Sequence, residues 1–179
     1  VSRGVLEDSS MLSEDIQEAY TEWVQTAPDV RDDKKIDELI DRALEDFPKQ
    51  FAAQRAYFTR GLMNLEKEKW EEAATAFLKV GDSWPDSYLA PVSLYNAGAA
   101  REELGDNEGA AELWTRIVEN YGDLSPDAPE ALFNLGRLAE TRGEKEKAIE
   151  YYRDIASRYP ESRWTDLGKS RILVLEGRS

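Results

Sequence analysis

The 179-residue chain contains no cysteine and no histidine. Disulfides, thiolate metal sites and a thiol nucleophile are thereby excluded, while either an oxidising or a reducing compartment stays open. The side chain most often used as a general base is missing too, so any hydrolytic chemistry would have to rest on carboxylates, Ser, Lys or Tyr. Long apolar runs are absent: near the C-terminus the longest is Ile172 to Leu175, far short of the roughly 18 residues a membrane span needs. Positive charge is scarce. Twenty-three Lys and Arg against 37 Asp and Glu leave a net charge of −14, which repels a phosphate backbone and argues against nucleic acid as a partner. No Gly-rich loop ends in Gly-Lys-Ser/Thr, no dinucleotide-binding glycine pattern follows a strand, and the acidic runs miss the spacing of a calcium loop. These absences point to a non-catalytic chain without cofactor or metal.

What is present is an internal repeat. Sliding the chain along itself by 37 and then 38 residues aligns Gly61, Gly98 and Gly136, and likewise Ala73, Ala110 and Ala148. The same shifts align Phe77, Trp114 and Tyr152, then Val80, Ile117 and Ile155, then Trp84, Tyr121 and Tyr159. A period of this size built from helical patterning marks units that cannot bury their own apolar face and must stack on neighbours. The 41% hydrophobic content supports a packed interior.

The clearest copy runs from Ala131 to Tyr159. Leu132, Leu135, Gly136 and Ala139 recur at helical spacing, Gly143 breaks the chain, and Ala148, Tyr151, Tyr152 and Ile155 resume until Pro160. That pattern predicts a helical hairpin in which Gly136 and Ala148 let two backbones approach, while Tyr152 fills the wider space between hairpins. Leu94 to Tyr121 repeats the scheme around a break at Gly105, and Tyr57 to Trp84 does so around Glu66-Lys67-Glu68-Lys69, a turn without glycine. Upstream, Ile16, Ala19, Tyr20, Trp23 and Val24, then Ile36, Ile40, Ala43 and Phe47, supply a divergent unit with a long connector, Ala27 to Asp33. Ser162 is placed to cap a last helix carrying Trp164, Leu167, Ile172 and Leu175. The expected organisation is a flexible segment 1–12 followed by one all-α repeat domain, 13–179, with nine helices. It comprises a divergent repeat 13–49, repeats 54–87, 91–124 and 129–162, and a capping helix 163–176. The charge runs Asp29-Val30-Arg31-Asp32-Asp33 and Glu144-Lys145-Glu146-Lys147 read as solvated turns and helix starts. The chain begins with Val1 and shows no leader pattern, so targeting information is expected to lie outside it.

Leu132, Phe133, Asn134, Leu135 and Gly136, followed by Gly143, Ala148, Tyr152 and Pro160, resemble the tetratricopeptide repeat, and the copy from Leu94 to Gly122 matches with Trp114 in the aromatic place. The units exceed the usual period of roughly 34 residues, with the excess in connectors such as Gly122 to Pro129. Stretched repeats ending in Tyr159-Pro160-Glu161-Ser162 look like those of bacterial envelope proteins, of the barrel-assembly lipoprotein and Tol-associated coordinator types. The resemblance implies a right-handed solenoid of about four hairpins and a capping helix, sitting in the periplasm or envelope, with the cytoplasm as the alternative.

It also implies that the first helices of the hairpins line a groove for a partner peptide or helix. By motif alignment the groove residues are Arg55, Phe58, Leu62, Leu65 and Glu66, then Val92, Tyr95, Ala99, Glu102 and Glu103, then Phe133, Arg137, Glu140 and Thr141. Phe58, Tyr95 and Phe133 form an aromatic row that either packs adjacent helices or touches a ligand; both readings stay open here. The glutamates leave the surface acidic despite Arg55 and Arg137, so a basic partner segment is expected. Where the repeats that grip a C-terminal carboxylate carry Lys and Asn, this chain has Phe58 and Leu62, so that activity is not expected. The leading function is a scaffold for another protein, with a carrier of a small apolar ligand as alternative and self-association through an exposed Trp164 as a compatible addition.

Overall fold

A computed structural model describes residues 2–177. Among these residues nine α-helices form and no strand does: α1 (Arg3–Gln25), α2 (Lys34–Asp46), α3 (Phe51–Glu66), α4 (Trp70–Ser83), α5 (Leu89–Glu103), α6 (Asn107–Asn120), α7 (Ala128–Thr141), α8 (Lys145–Arg158) and α9 (Arg163–Leu175). The punctuation follows the expected chemistry. Asp106 accepts from the Gly109 amide at 2.9 Å at the start of α6, and Ser162 accepts from the Trp164 amide at 3.3 Å at the start of α9. Left-handed residues close the hairpin turns, Gly105 at φ +78° and Gly143 at φ +74°, and Glu68 takes the equivalent place at φ +55°. The turn without a glycine therefore keeps the same backbone path, with a side chain in a region that L-residues enter at a cost of roughly 1–2 kcal/mol.

Packing divides the chain into two compact units, one ending at Leu89 and one starting at Ala90. The division falls between the repeats expected at 54–87 and 91–124. In the first unit α1 packs on α2 and α3, α2 on α3, and α3 on α4. Its core includes Leu12, Ile16, Trp23, Ile36, Ile40 and Ala56. The second unit holds α5 from Ala90 on, which meets α6 through Tyr95 and Gly98 against Trp114, then the hairpin of α7 and α8, and α9, which lies against α8 and α7.

One departure from expectation lies at the N-terminal end. Residues 3–12 were expected to be flexible, yet α1 runs through them. Ser9 and Leu12 are buried, and the Ser9 hydroxyl accepts from the Ala52 amide at 3.1 Å. That amide belongs to the first turn of α3, whose own N-cap residue, Gln50, offers no side-chain cap. A polar contact thus anchors a segment whose apolar pattern is weak. Ser9→Ala is expected to cost about 1–2 kcal/mol in chemical denaturation, with faster hydrogen exchange at Ala52.

The connector between α1 and α2 is anchored as well. Arg31 lies over the Trp23 ring at 4.4 Å and donates to the Val24 and Thr26 carbonyls at 2.9 and 2.8 Å. The Trp23 indole donates to Asp33 at 3.0 Å, and Lys67 pairs with the same carboxylate. Burial pushes the Asp33 carboxyl up, but the hydrogen bonds from Lys67 and Trp23 and the lysine charge outweigh it and hold the group below its ordinary value. Of the acidic run expected to be solvated, Asp29 and Asp32 are exposed while Arg31 and Asp33 are engaged.

The repeat columns resolve into one recurring contact. A Cβ added at Gly61 would lie 2.6 Å from the Phe77 ring, one at Gly98 2.5 Å from the Trp114 ring, and one at Gly136 2.5 Å from the Tyr152 ring. The glycine of each first helix therefore receives the aromatic side chain of the second helix of its own hairpin. This corrects the expected division of labour, in which glycine brought two backbones together and Tyr152 filled the gap between hairpins. Tyr152 does also meet α9: an added Cβ at Gly168 would stand 3.4 Å from it. The three rings are buried, with exposures of 0–1%.

Candidate functional site

The predicted groove residues sit on the first helices of the hairpins, and each unit presents its own set. In the first unit they lie on α3. Phe58 meets Phe77 edge-on with centroids 5.6 Å apart. Leu62 and Leu65 are half-buried, and exposed Glu66 pairs with Arg31 at 3.3 Å. Arg55, at the other end of α3, donates to Gln17 at 2.8 Å and to the Tyr88 hydroxyl at 2.9 Å.

In the second unit α5 and α7 carry the set. Tyr95 lies 6.3 Å from Trp114 between ring centres, and its hydroxyl accepts from the Asn134 side chain at 3.2 Å. The Trp114 indole in turn donates to the Tyr95 carbonyl at 3.3 Å. Burial first, then a hydrogen bond to Glu130 and its charge, drives the Tyr95 hydroxyl far above its ordinary pKa, so it stays protonated with its proton engaged by that carboxylate. Phe133 is held between Tyr152 at 5.3 Å and Trp164 at 4.9 Å. Val92 and Ala99 are half-buried; Glu103 and Thr141 are exposed. Phe58, Tyr95 and Phe133 each spend one side on the second-helix ring of their own hairpin and remain half-buried. Each of these three rings therefore packs and still keeps surface.

The charges on this face are largely matched within the chain. Arg137 on α7 reaches back to Glu102 on α5 with two parallel hydrogen bonds of 2.7 and 2.9 Å. Arg171 on α9 does the same to Glu140 on α7, donating from Nε at 3.0 Å and pairing again through a terminal nitrogen, while the Tyr152 hydroxyl donates to Glu140 at 2.5 Å. Forked arginine–carboxylate pairs of this kind fix orientation as well as charge. Of the four glutamates expected to make the surface acidic, Glu66, Glu102 and Glu140 are thus paired internally. Arg31, Arg171, Asn134 and the Tyr152 hydroxyl were not among the groove residues named from the sequence, because each meets its partner from a different segment of the chain. Trp164, expected to be exposed, is half-buried beneath Arg163 and beside Phe133; Leu167, Leu173 and Val174 are the exposed apolar residues of α9.

Family models described as tetratricopeptide repeat match residues 55–87 and 95–163. Aspartyl/asparaginyl beta-hydroxylase of Mus musculus is 28% identical over 130 residues, an alignment that covers 72% of this chain. The aligned stretch spans only 16% of the hydroxylase's own length. Repeats of the matched kind generally mediate contacts between proteins. Hairpins built on a glycine and an aromatic residue, recurring where the models match, show that this chain carries tetratricopeptide repeats over residues 55–87 and 95–163.

Proposed function

We propose that the chain is a non-catalytic scaffold that holds a peptide or helix of another protein on its first-helix faces, as part of a bacterial envelope complex. The observation that carries this reading is the half-exposure of Phe58, Tyr95 and Phe133, which are supported from behind by buried rings and so present rigid aromatic surface. The envelope assignment rests on the stretched connectors and the Tyr159-Pro160-Glu161-Ser162 ending. The non-catalytic reading rests on the lack of His and Cys. No activity is carried over from the hydroxylase, of which this chain spans so small a share. With most groove glutamates paired, attraction of a basic segment falls to the net charge of −14, which acts on the rate of encounter. A carrier of an apolar ligand is less well supported, since the rings that would wall its chamber already pack on Phe77, Trp114 and Tyr152.

The test is to capture the partner from a native envelope extract, then to measure its affinity and on-rate beside thermal melts. Tyr95→Ala is expected to weaken binding by about 2 kcal/mol, more than it weakens folding, whereas Tyr95→Phe keeps the affinity. Association should slow as salt rises. A lowered melting temperature with intact affinity in Tyr95→Ala would make the row structural and place the contact elsewhere.

A further inference from the structure

In the first unit α1, α3 and Tyr88 surround an open cleft of about 530 Å³. Its wall is the stacked pair Phe51 and Tyr88, with ring centres 5.6 Å apart. The Arg55 guanidinium lies 5.5 Å from the Phe51 ring centre. Its two terminal nitrogens donate to Gln17 and to the Tyr88 hydroxyl, and its Nε is buried without a partner. Among the described residues no carboxylate pairs with Arg55, although the chain carries a net charge of −14 and Arg31, Arg60, Arg137 and Arg171 all have one. Ser13 lines the same cleft, is 4% exposed, and its hydroxyl makes no hydrogen bond among the described residues. The oxygens of Gln17 and Tyr88 are occupied by Arg55, so these two side chains offer the cleft an N–H and an O–H. Donors and an unmatched positive charge thus converge beside an aromatic wall. Glu14 and Glu18 of α1, both exposed, line the same cleft.

We propose that this cleft binds a carboxylate of a peptide ligand that carries a basic residue next to it. The carboxylate takes the remaining N–H groups on the two terminal nitrogens of Arg55 and the hydroxyl of Ser13, the basic residue meets Glu14 and Glu18, and an apolar side chain rests on Phe51 and Tyr88. The two glutamates disfavour a doubly charged phosphate in the same place. The proposal rests on the scaffold reading and deepens it, by naming what one end of the α3 face receives.

Three fluorescein-labelled hexapeptides of otherwise identical sequence, each with one lysine, test it by fluorescence anisotropy. One ends in a free carboxyl, one has an amidated end and an internal aspartate beside the lysine, and one has an amidated end with asparagine there. The expected result is that at least one of the first two binds at least about tenfold more tightly than the third, and which of them does so identifies the carboxylate as terminal or side-chain. Arg55→Gln should lose the same factor and Ser13→Ala part of it. Arg55→Gln also removes the hydrogen bonds to Gln17 and Tyr88, so its thermal melt is recorded beside its binding, and a loss of affinity at a temperature where the variant is fully folded separates lost binding from lost folding. The proposal is overturned if the asparagine peptide binds as tightly as the other two, if Arg55→Gln binds as wild type does, or if none of the three binds at about 1 mM. A captured partner that ignores Arg55→Gln but is released by Tyr95→Ala would sink this site and leave the scaffold reading standing.

Discussion

Gly136→Ala should destabilise the chain by about 1–3 kcal/mol, although replacing glycine by alanine inside a helix ordinarily gains roughly 1 kcal/mol. The sign reverses because the new methyl would lie 2.5 Å from Tyr152 Cε1 and 2.8 Å from its Cζ. That ring has nowhere to go. It is fully buried, its hydroxyl is tied to Glu140, and its backbone lies against Gly168 of α9. Gly98→Ala meets the Trp114 ring and Gly61→Ala the Phe77 ring in the same way. Gly136→Leu should cost more than Gly136→Ala, whereas Lys147→Ala, on an exposed position, should stay within about ±0.5 kcal/mol. Urea denaturation of these variants decides the matter, and the double variant Gly61→Ala, Phe77→Leu should recover part of the loss by removing the obstructing ring edge. A stabilising Gly136→Ala would show that the ring-on-glycine contact is not the lock of the hairpin.

Glu140→Ala is expected to cost about 1.5–3 kcal/mol at pH 7, the usual range for hydrogen bonds to a charged group. The substitution leaves the hydroxyl of buried Tyr152 without its acceptor and releases Arg171, and with it a fastening of α9 to α7. The effect should depend on pH with a definite sign. Arg171 first of all, with help from Tyr152 and against the effect of burial, holds the Glu140 carboxyl below its ordinary value of 4.5. A carboxyl lowered in the folded state contributes stability that is present at neutral pH and lost as the pH falls from that ordinary value through the folded one. Thermal melts of wild type and Glu140→Ala between pH 7 and pH 3 should therefore differ most at neutral pH and converge below about 4.5. A constant difference across the series would mean that the ionised pair contributes nothing.

The repeat was legible because its columns lie in one chain direction at a fixed period, and helical spacing around Gly136 and Gly98 placed the hairpins. What those columns do was less legible. Spacing places Gly136 and Tyr152 on facing helices without saying which of them yields room to the other. Residues 3–12 were misread for a related reason: their attachment runs through Ser9 to an amide 43 residues away, and a serine adds nothing to an apolar period. The groove residues were named by alignment, but their electrostatics were not, because Glu102 and Arg137 are 35 residues apart and Glu140 and Arg171 are 31 apart. Arg55 was named by alignment, while Ser13, Gln17 and Tyr88, which complete its surroundings, come from segments with no matching column.

In all three hairpins the ring stands 16 positions after its glycine, as Phe77 does after Gly61, Trp114 after Gly98 and Tyr152 after Gly136. A gene segment that encodes one hairpin therefore carries both halves of the fit. When such a segment is duplicated, the new copy arrives already matched, and later exchange among Phe, Trp and Tyr in one copy asks nothing of the others. Three different rings on three retained glycines are the record that such a history would leave.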